Sequence, residues 1–353
     1  MLRIVLVLGV LSFCLGIASV AESSPRKNRI CFISDLNGSY GSVDLPSSVH
    51  SGMRTLAQHD CSIVIGAGDL VAGQDLTLSE SRLSAMWSEF KRVVMEPFAA
   101  QQIPFFSALG NHDASAARSG SGGYVYARER QVAQSFFEEN YKDFYSPDVQ
   151  WLSREGFPFF YALRFANTGI VFIDGSSAVE LRTKREWLEE QLRLLANDAS
   201  LSARIVVGHL PLVAVATGRD RVGEILAESR ALYELFDRNR VDLYVSGHHH
   251  AFYPGRVTAW SSVHGTIQLA LGALGNGPRA LVGNSGLPAQ NTLSIVDINE
   301  STPWLEDKFT VRTVNPVSGR HLSIFDLPRT LESLDGSGQP VILKRFDFRE
   351  FFP

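Results

Sequence analysis

Val241-Asp242-Leu243-Tyr244-Val245-Ser246-Gly247-His248-His249-His250 is an apolar, β-prone run that ends in a glycine and three histidines. The run reads as a buried strand, and the histidines fall where it stops. In extended backbone, residues two apart point to the same side. His248 and His250 can therefore face one point while His249 turns away. Two imidazoles converging at a strand end form a metal-ligand arrangement.

The same pattern recurs upstream. Ile30-Cys31-Phe32-Ile33 ends at Ser34-Asp35-Leu36-Asn37-Gly38, and Ser62-Ile63-Val64-Ile65 ends at Gly66-Ala67-Gly68-Asp69. The apolar run at 103–109 ends at Gly110-Asn111-His112-Asp113, and that at 203–207 ends at Gly208-His209-Leu210-Pro211. Strands are also expected at 157–165 and 169–173, and later at about 264–272, 291–298, 308–315 and 320–326. Helices are expected over 46–58, after Thr77-x-x-Glu80 as far as Pro97, over 136–145, after Thr183-x-x-Glu186, and over 223–239. Both Thr-x-x-Glu stretches read as capping boxes. The result is a βαβαβ half, an insertion, a second βα half and a β-rich end. In α/β folds, sites form beyond the carboxyl ends of strands. Five such ends carry Asp35, Asp69, Asn111, His209 and the His248/His250 pair.

The chain has 353 residues, 45% of them hydrophobic, and a net charge of -4. That is enough for a large core, and the charge gives no reason to expect nucleic acid or an anionic membrane as partner. Residues 1–21 read as a secretory signal, with Arg3, an apolar stretch from Ile4 to Ile17, and Ser19-Val20-Ala21 as the cleavage pattern. The apolar stretch is short for a membrane helix, so no stable membrane span should remain after cleavage. Arg26, Lys27 and Arg29 follow closely and resist translocation. A secreted or periplasmic protein is expected, with an uncleaved N-terminal anchor as the alternative. Residues 22–29 form a polar leader, 30–326 the main domain, and 327–353 a C-terminal tail without assigned structure. The sequence does not fix the oligomeric state.

Cys31 lies four residues before Asp35, and Cys61 eight before Asp69. With both aspartates at one sheet edge, the cysteines are out of step by roughly 13 Å of extended chain. That is too far for a disulfide, so both are expected to be buried free thiols.

The ordered motifs Asp35-Leu36-Asn37, Gly68-Asp69, Gly110 to Asp113, Gly208-His209 and Gly247 to His250 resemble those of the calcineurin-like metallophosphoesterases. The resemblance covers about residues 30–326. It implies an α/β fold, a two-sheet β sandwich flanked by helices in four layers, with two divalent metal ions at the strand edge. It implies that Asp69 bridges both metals. Asp35 and His250 would hold the first, with Asn37 where the family usually has histidine. Asn111, His209 and His248 would complete the second, and His112 would be the acid that serves the leaving group. Two metals about 3.5–4 Å apart clamp the attacking and leaving oxygens, and they lower the pKa of a bridging water to give the attacking hydroxide. A mix of carboxylate, amide oxygen and imidazole suits Mn, Zn, Fe or Co better than Ca. His249, His50, His59, His264 and His321 match no family position and are expected to be structural or solvent-facing.

The departures narrow the class. Asp69 is followed by Leu70-Val71-Ala72-Gly73-Gln74, not by the Arg-Gly of serine/threonine protein phosphatases. Ala72 stands where purple acid phosphatases carry a tyrosine, so an Fe(III)–phenolate site is not expected. What remains is an exported phosphomono- or phosphodiesterase acting on a phosphoester substrate. Arg118, Arg128 and Arg130 are candidates to hold the substrate phosphate. The alternative is an inactive, exported metal-binding protein that recognises a phosphorylated ligand. Retention of His112 speaks against it, and Asn37 speaks mildly for it.

Overall fold

Every residue of Ile63–Ala67, Phe105–Ala108, Thr168–Phe172, Ala203–Val207, Leu243–Ser246 and Ile267–Ala270 is buried. Each of these short runs has a parallel neighbour, and strands covered on both faces are the rule in parallel α/β sheets. The computed structural model describes residues 28–351 except 143, 259, 261, 284 and 285. The signal read at 1–21 and the start of the leader lie outside the described residues.

The strands form two mixed sheets. The first runs His321–Leu322, Phe309–Val314, Leu293–Ile298, Arg29–Ile33, Ile63–Ala67, Phe105–Ala108, with Arg349–Glu350 beside Phe309–Val314. The second has nine strands: Thr330–Leu334, Pro340–Arg345, Tyr253–Val257, Ile267–Ala270, Leu243–Ser246, Ala203–Val207, Thr168–Phe172, Phe160–Phe165, Val149–Gly156. The sheets meet through apolar and polar contacts. Phe106 packs on Tyr161 and Phe172, while the Tyr161 hydroxyl donates to Ser107 O at 2.8 Å and accepts from Ser107 N–H at 3.1 Å. Helices Ser47–Leu56, Glu80–Phe90, Ala127–Tyr141, Arg185–Asn197 and Ser229–Arg238 lie between the strands in sequence and flank the sheets.

Several expected boundaries shift for local reasons. Ser79, not Thr77, caps Glu80–Phe90 by accepting from Arg82 N–H, while the Thr77 hydroxyl turns to Asp75. The chain does not stop before Pro97: a π-helical stretch at Lys91–Met95 leads into Glu96–Ala100. Pro97 falls just after the π-helical stretch within continuous helical backbone, Met95 and Glu96 both being αR, and such a widened turn accommodates a residue that lacks an N–H. Thr183 lies in a 3₁₀ turn, its hydroxyl on Glu180 O, and the helix begins at Arg185. The helix expected over 223–239 starts only at Ser229. Ile225 and Leu226 are buried within the preceding loop, which mimics a helical face in sequence. The tail is structured: Thr330–Leu334 and Pro340–Arg345 form a hairpin on the second sheet, while Arg349–Glu350 joins the first.

The cysteines correct an expectation. Cys31 and Cys61 form a disulfide, with Cα atoms 5.8 Å apart. The sheet register pairs Cys31 with Val64, so the offset is three residues rather than four. More important, Cys61 lies outside the strand. The strand begins at Ile63, Asp60 takes a left-handed φ of 48°, and Ser62 N–H donates to Arg29 O. The left-handed residue and the bend at Ser62 lie on either side of Cys61, which comes beside Cys31.

Candidate metal centre

Strands Arg29–Ile33, Ile63–Ala67 and Phe105–Ala108 of one sheet, and Ala203–Val207 and Leu243–Ser246 of the other, all deliver their next residues to one edge. Backbone bonds stitch these ends together. Asp35 N–H donates to Gly68 O at 3.0 Å, Leu36 N–H to Asp69 O at 2.7 Å, and Gly247 N–H to His209 O at 3.0 Å. Glycine is required where the ends touch. A Cβ on Gly247 would lie 1.9 Å from Ser34 Oγ and 2.6 Å from an Asp35 oxygen. Gly68 has φ +86°, and a Cβ there would lie 2.6 Å from the His209 ring.

Four of the candidate ligands sit in left-handed backbone: Asp35 (φ 53°), Asp69 (φ 56°), His248 (φ 64°) and His250 (φ 53°). Such conformations disfavour non-glycine residues and gather at functional sites. The alternation inferred for the histidines thus has a different cause. They are not in extended chain, yet His248 and His250 still turn into the site. His249 is fully buried away from it, its Nδ1 accepting from Val215 N–H and its Nε2 on Glu224 O.

The side chains converge on two groups that share Asp69. Asp69, His209 and His248 offer ligand atoms all within 4.8 Å of one another, and so do Asp35, Asp69 and His250. His209 places Nδ1 2.7 Å from Ala67 O, which leaves Nε2 3.0 Å from Asn111 Oδ1 and 3.3 Å from Asp69 Oδ1. His250 places Nδ1 2.8 Å from Gly277 O and Nε2 3.2 Å from Asp35 Oδ1. A carbonyl on one ring nitrogen fixes the tautomer that presents the other nitrogen's lone pair, a usual support for metal-bound histidine. For His248 the support is a carboxylate: Nε2 lies 2.8 Å from Glu224 Oε2, leaving Nδ1 for the site. Asn37 is 5% exposed, and its Oδ1 is buried without a hydrogen-bond partner. A buried amide oxygen left unpaired is costly, and a cation at that position would satisfy it. The donor set of carboxylate, amide oxygen and imidazole fits two borderline divalent ions.

His112 stands apart from both groups. Its N–H donates to Asp69 Oδ1 at 2.8 Å, its Nδ1 lies 3.2 Å from Gly73 O, and its Nε2 is 3.9 Å from Asp69 Oδ2. Its ring lies against Tyr40 with centroids 4.8 Å apart. Asp113 is structural: it accepts N–H bonds from Leu70, Val71 and Gly110 and holds the two motif loops together. Burial, with the Asp69 charge, pushes the Asp113 carboxyl up to about 7. Burial alone would lower His209, but the Asp69 carboxylate raises it to about 9. Burial holds His248 down at about 4 despite Glu224. Burial opposes ionisation of Asp35, but His250 keeps its carboxyl below the usual range.

A cavity of about 590 Å³ opens over this cluster, reaching Asn111, His112 and His248. The arginines expected to hold phosphate do not line it. Arg118 pairs with Glu180 and stacks on Tyr124. Arg128 donates to Leu78 O. Arg130 is buried in an ion pair with Asp174, under the Tyr124 and Phe159 rings. The arginines that do line the cavity are Arg219, Arg221 and Arg279, and Glu224 lines it with them. Arg219 and Arg221 stand in the short charged stretch Arg219-Asp220-Arg221, just before the helix expected from residue 223, and nothing in that stretch marks a site. Arg279 stands in a Gly/Pro-rich loop that marks none either.

Fold and site together define a metallophosphoesterase architecture: two sheets whose strand ends carry the ligand-type residues. The calcineurin-like phosphoesterase family matches over residues 28–252, and the chain belongs to that family. No curated protein matches by sequence. Among solved structures, a purple acid phosphatase isolated from yellow lupin (Lupinus luteus) seeds superposes with a TM-score of 0.58 at 16% identity, covering 84% of this chain. The chain spans about half, 52%, of that protein's length. PhoD superposes with a TM-score of 0.51 at 8% identity over 93% of this chain and 74% of its own. A dimetal phosphatase from Danio rerio gives 0.46 at 14% identity, covering 83% of this chain and 97% of its own. At these identities the likeness is one of fold.

Proposed function

We propose that this chain is a metal-dependent phosphoesterase that hydrolyses phosphomono- or phosphodiesters at the edge shared by its two sheets. The observation that carries this reading is the pair of ligand groups joined through Asp69, with the unpaired Asn37 Oδ1 beside them. Asp69, Asp35 and His250 would hold one divalent ion, with Asn37 completing its shell. Asp69, Asn111, His209 and His248 would hold the other. Two such ions supply charge neutralisation for the phosphate and a nucleophile at neutral pH.

The chain's own residues do the rest. Ala67 O, Gly277 O and Glu224 orient the three imidazoles. His112, steered by Gly73 O, offers Nε2 toward the cavity, where it can protonate the leaving oxygen. Asp113 keeps the loops at Leu70 and Gly110 in register. Among the described residues no helix is long and apolar enough to cross a membrane. The Cys31–Cys61 disulfide supports export to an oxidising compartment.

The test is hydrolysis of p-nitrophenyl phosphate and bis(p-nitrophenyl) phosphate with added Mn²⁺, with and without chelator, alongside elemental analysis. Metal-dependent turnover of either is the expected result. Bound metal with no turnover of any phosphoester would instead favour a ligand-recognition role. Full turnover by metal-free protein would overturn the mechanism.

A further inference from the structure

Arg279 is held close to the cluster by its backbone, whose N–H donates to His250 O at 3.1 Å. Its side chain lines the cavity over the site. Its Nε is buried and has no hydrogen-bond partner, and among the described residues no carboxylate pairs with its guanidinium. The other two cavity arginines differ. Arg219 and Arg221 both pair with Glu224 Oε2 and Oε1 respectively, and Glu224 also holds His248. The cavity wall therefore carries three guanidinium groups against one carboxylate. Burial and the nearby Arg219 charge disfavour the Arg279 cation, and the Asp35 and Glu224 carboxylates offset them only in part. A buried, unmatched donor of this kind calls for an anionic partner. The two ion positions already answer the charge of one phosphate, so this donor is in excess for a simple monoester.

We infer that Arg279, with Arg219 and Arg221 on the same wall, forms a second anion subsite, and that the substrate class is a phosphoester or phosphoanhydride bearing two phosphate groups. The inference rests on the phosphoesterase reading and deepens it. One phosphate lies over the Asp69 cluster. The other meets the Arg279 fork, which suits two-point recognition of phosphate.

The probes are inorganic pyrophosphate and orthophosphate, each titrated calorimetrically into metal-loaded protein that has been dialysed free of excess ion. The native protein is expected to bind pyrophosphate at least tenfold tighter than orthophosphate. Arg279→Ala is expected to reduce that preference at least tenfold, the loss of about one charge-assisted hydrogen bond. Arg279→Lys, which keeps the charge but not the fork, should fall between, and thermal melting of both variants confirms that they are folded. A native protein without the preference, or a folded Arg279→Ala that keeps it, would overturn the subsite. Hydrolysis of p-nitrophenyl phosphate is measured separately on the same samples. Its absence counts against the phosphoesterase reading, while the binding ratio still decides the subsite.

Discussion

Glu224 Oε2 lies 2.8 Å from His248 Nε2, and it is a loop residue, not a helical one, that makes this contact. The carboxylate also receives Arg219 and Arg221. His248, Arg221 and Arg219 bonds together hold its carboxyl far below the ordinary range, against the opposing effect of burial. One carboxylate thereby fixes the imidazole of a proposed ligand and the two arginines of the cavity wall. Glu224→Gln should weaken metal retention at the Asp69–His209–His248 group by about 10–100-fold, the usual loss when an outer partner of a ligating histidine is removed. Competition with a chromogenic chelator reads this directly. Unchanged affinity at both positions would show that Glu224 does not orient His248.

His112 contacts Asp69 through its backbone and reaches the cavity with its ring, yet belongs to neither ligand group. His112→Ala should therefore lower turnover of a phosphomonoester by roughly 10²–10⁴-fold, the span of general acid–base assistance, with metal content intact by elemental analysis. Parallel loss of metal and turnover would make His112 a support of the metal site rather than its acid.

The Cys31–Cys61 bridge joins the first strand of the first sheet to the turn before the second, across a sequence separation of 30. Closing a loop of that length restricts the unfolded chain by roughly 3–4 kcal/mol. The double variant Cys31→Ser/Cys61→Ser should melt several degrees lower than the native protein. The intact native mass should be two hydrogens below the reduced value. A reduced mass in protein purified from an oxidising compartment would refute the bridge.

Asp237 anchors the turn at 262–265. Its carboxylate accepts from Ser262 Oγ and from the N–H groups of Val263, His264 and Gly265. Burial alone would raise its pKa, but these bonds hold it below the usual carboxylate value. A carboxyl depressed in the folded state binds fewer protons there than in the unfolded chain. Its stabilisation is thus complete above the unfolded pKa of about 4 and fades as pH falls below it. Asp237→Asn should lower the melting temperature at pH 7 and make less difference at pH 3. An equal decrease at both values would mean the charge is not what matters.

What the sequence revealed and what it concealed divide along a physical line. Asp35, Asp69, Asn111, His209, His248 and His250 each follow an apolar run directly, so local pattern alone places them at strand ends. The disulfide depended on how Asp60 and Cys61 leave the strand line, a backbone choice that apolar pattern does not encode. Ile225 and Leu226 point inward from a loop at helical spacing, so periodicity extended the helix across Glu224 and hid it. Arg279 comes to the cavity because its N–H caps His250 O, a tertiary bond between residues 29 apart in sequence. The hairpin at 330–345 alternates exposed and buried residues on an edge, a weaker signal than the solid apolar runs of the interior.

Asn37 carries the last prediction. Leu36 and Asn37 are tied through their N–H groups to Asp69 O, at 2.7 and 3.2 Å, so the segment is fixed beside Asp69. The Oδ1 that results is buried and unpaired. Without metal, such an oxygen is a liability, and replacing it with an apolar side chain of similar shape removes the cost of an unmet acceptor. With metal, the same oxygen is a neutral and rather hard ligand, poorer than imidazole for borderline ions. Two opposite outcomes follow for one substitution. Asn37→Leu should melt at the same or a higher temperature than the native protein in chelator, and should show a smaller rise on adding Mn²⁺, because ligand-linked stabilisation scales with affinity. Asn37→His should do the reverse, with a larger metal-induced rise and a lower metal concentration for half-maximal activity. If Asn37→Leu destabilises the metal-free protein and leaves the Mn²⁺ response untouched, Asn37 is a structural turn residue and the first ion is held by Asp35, Asp69 and His250 without it.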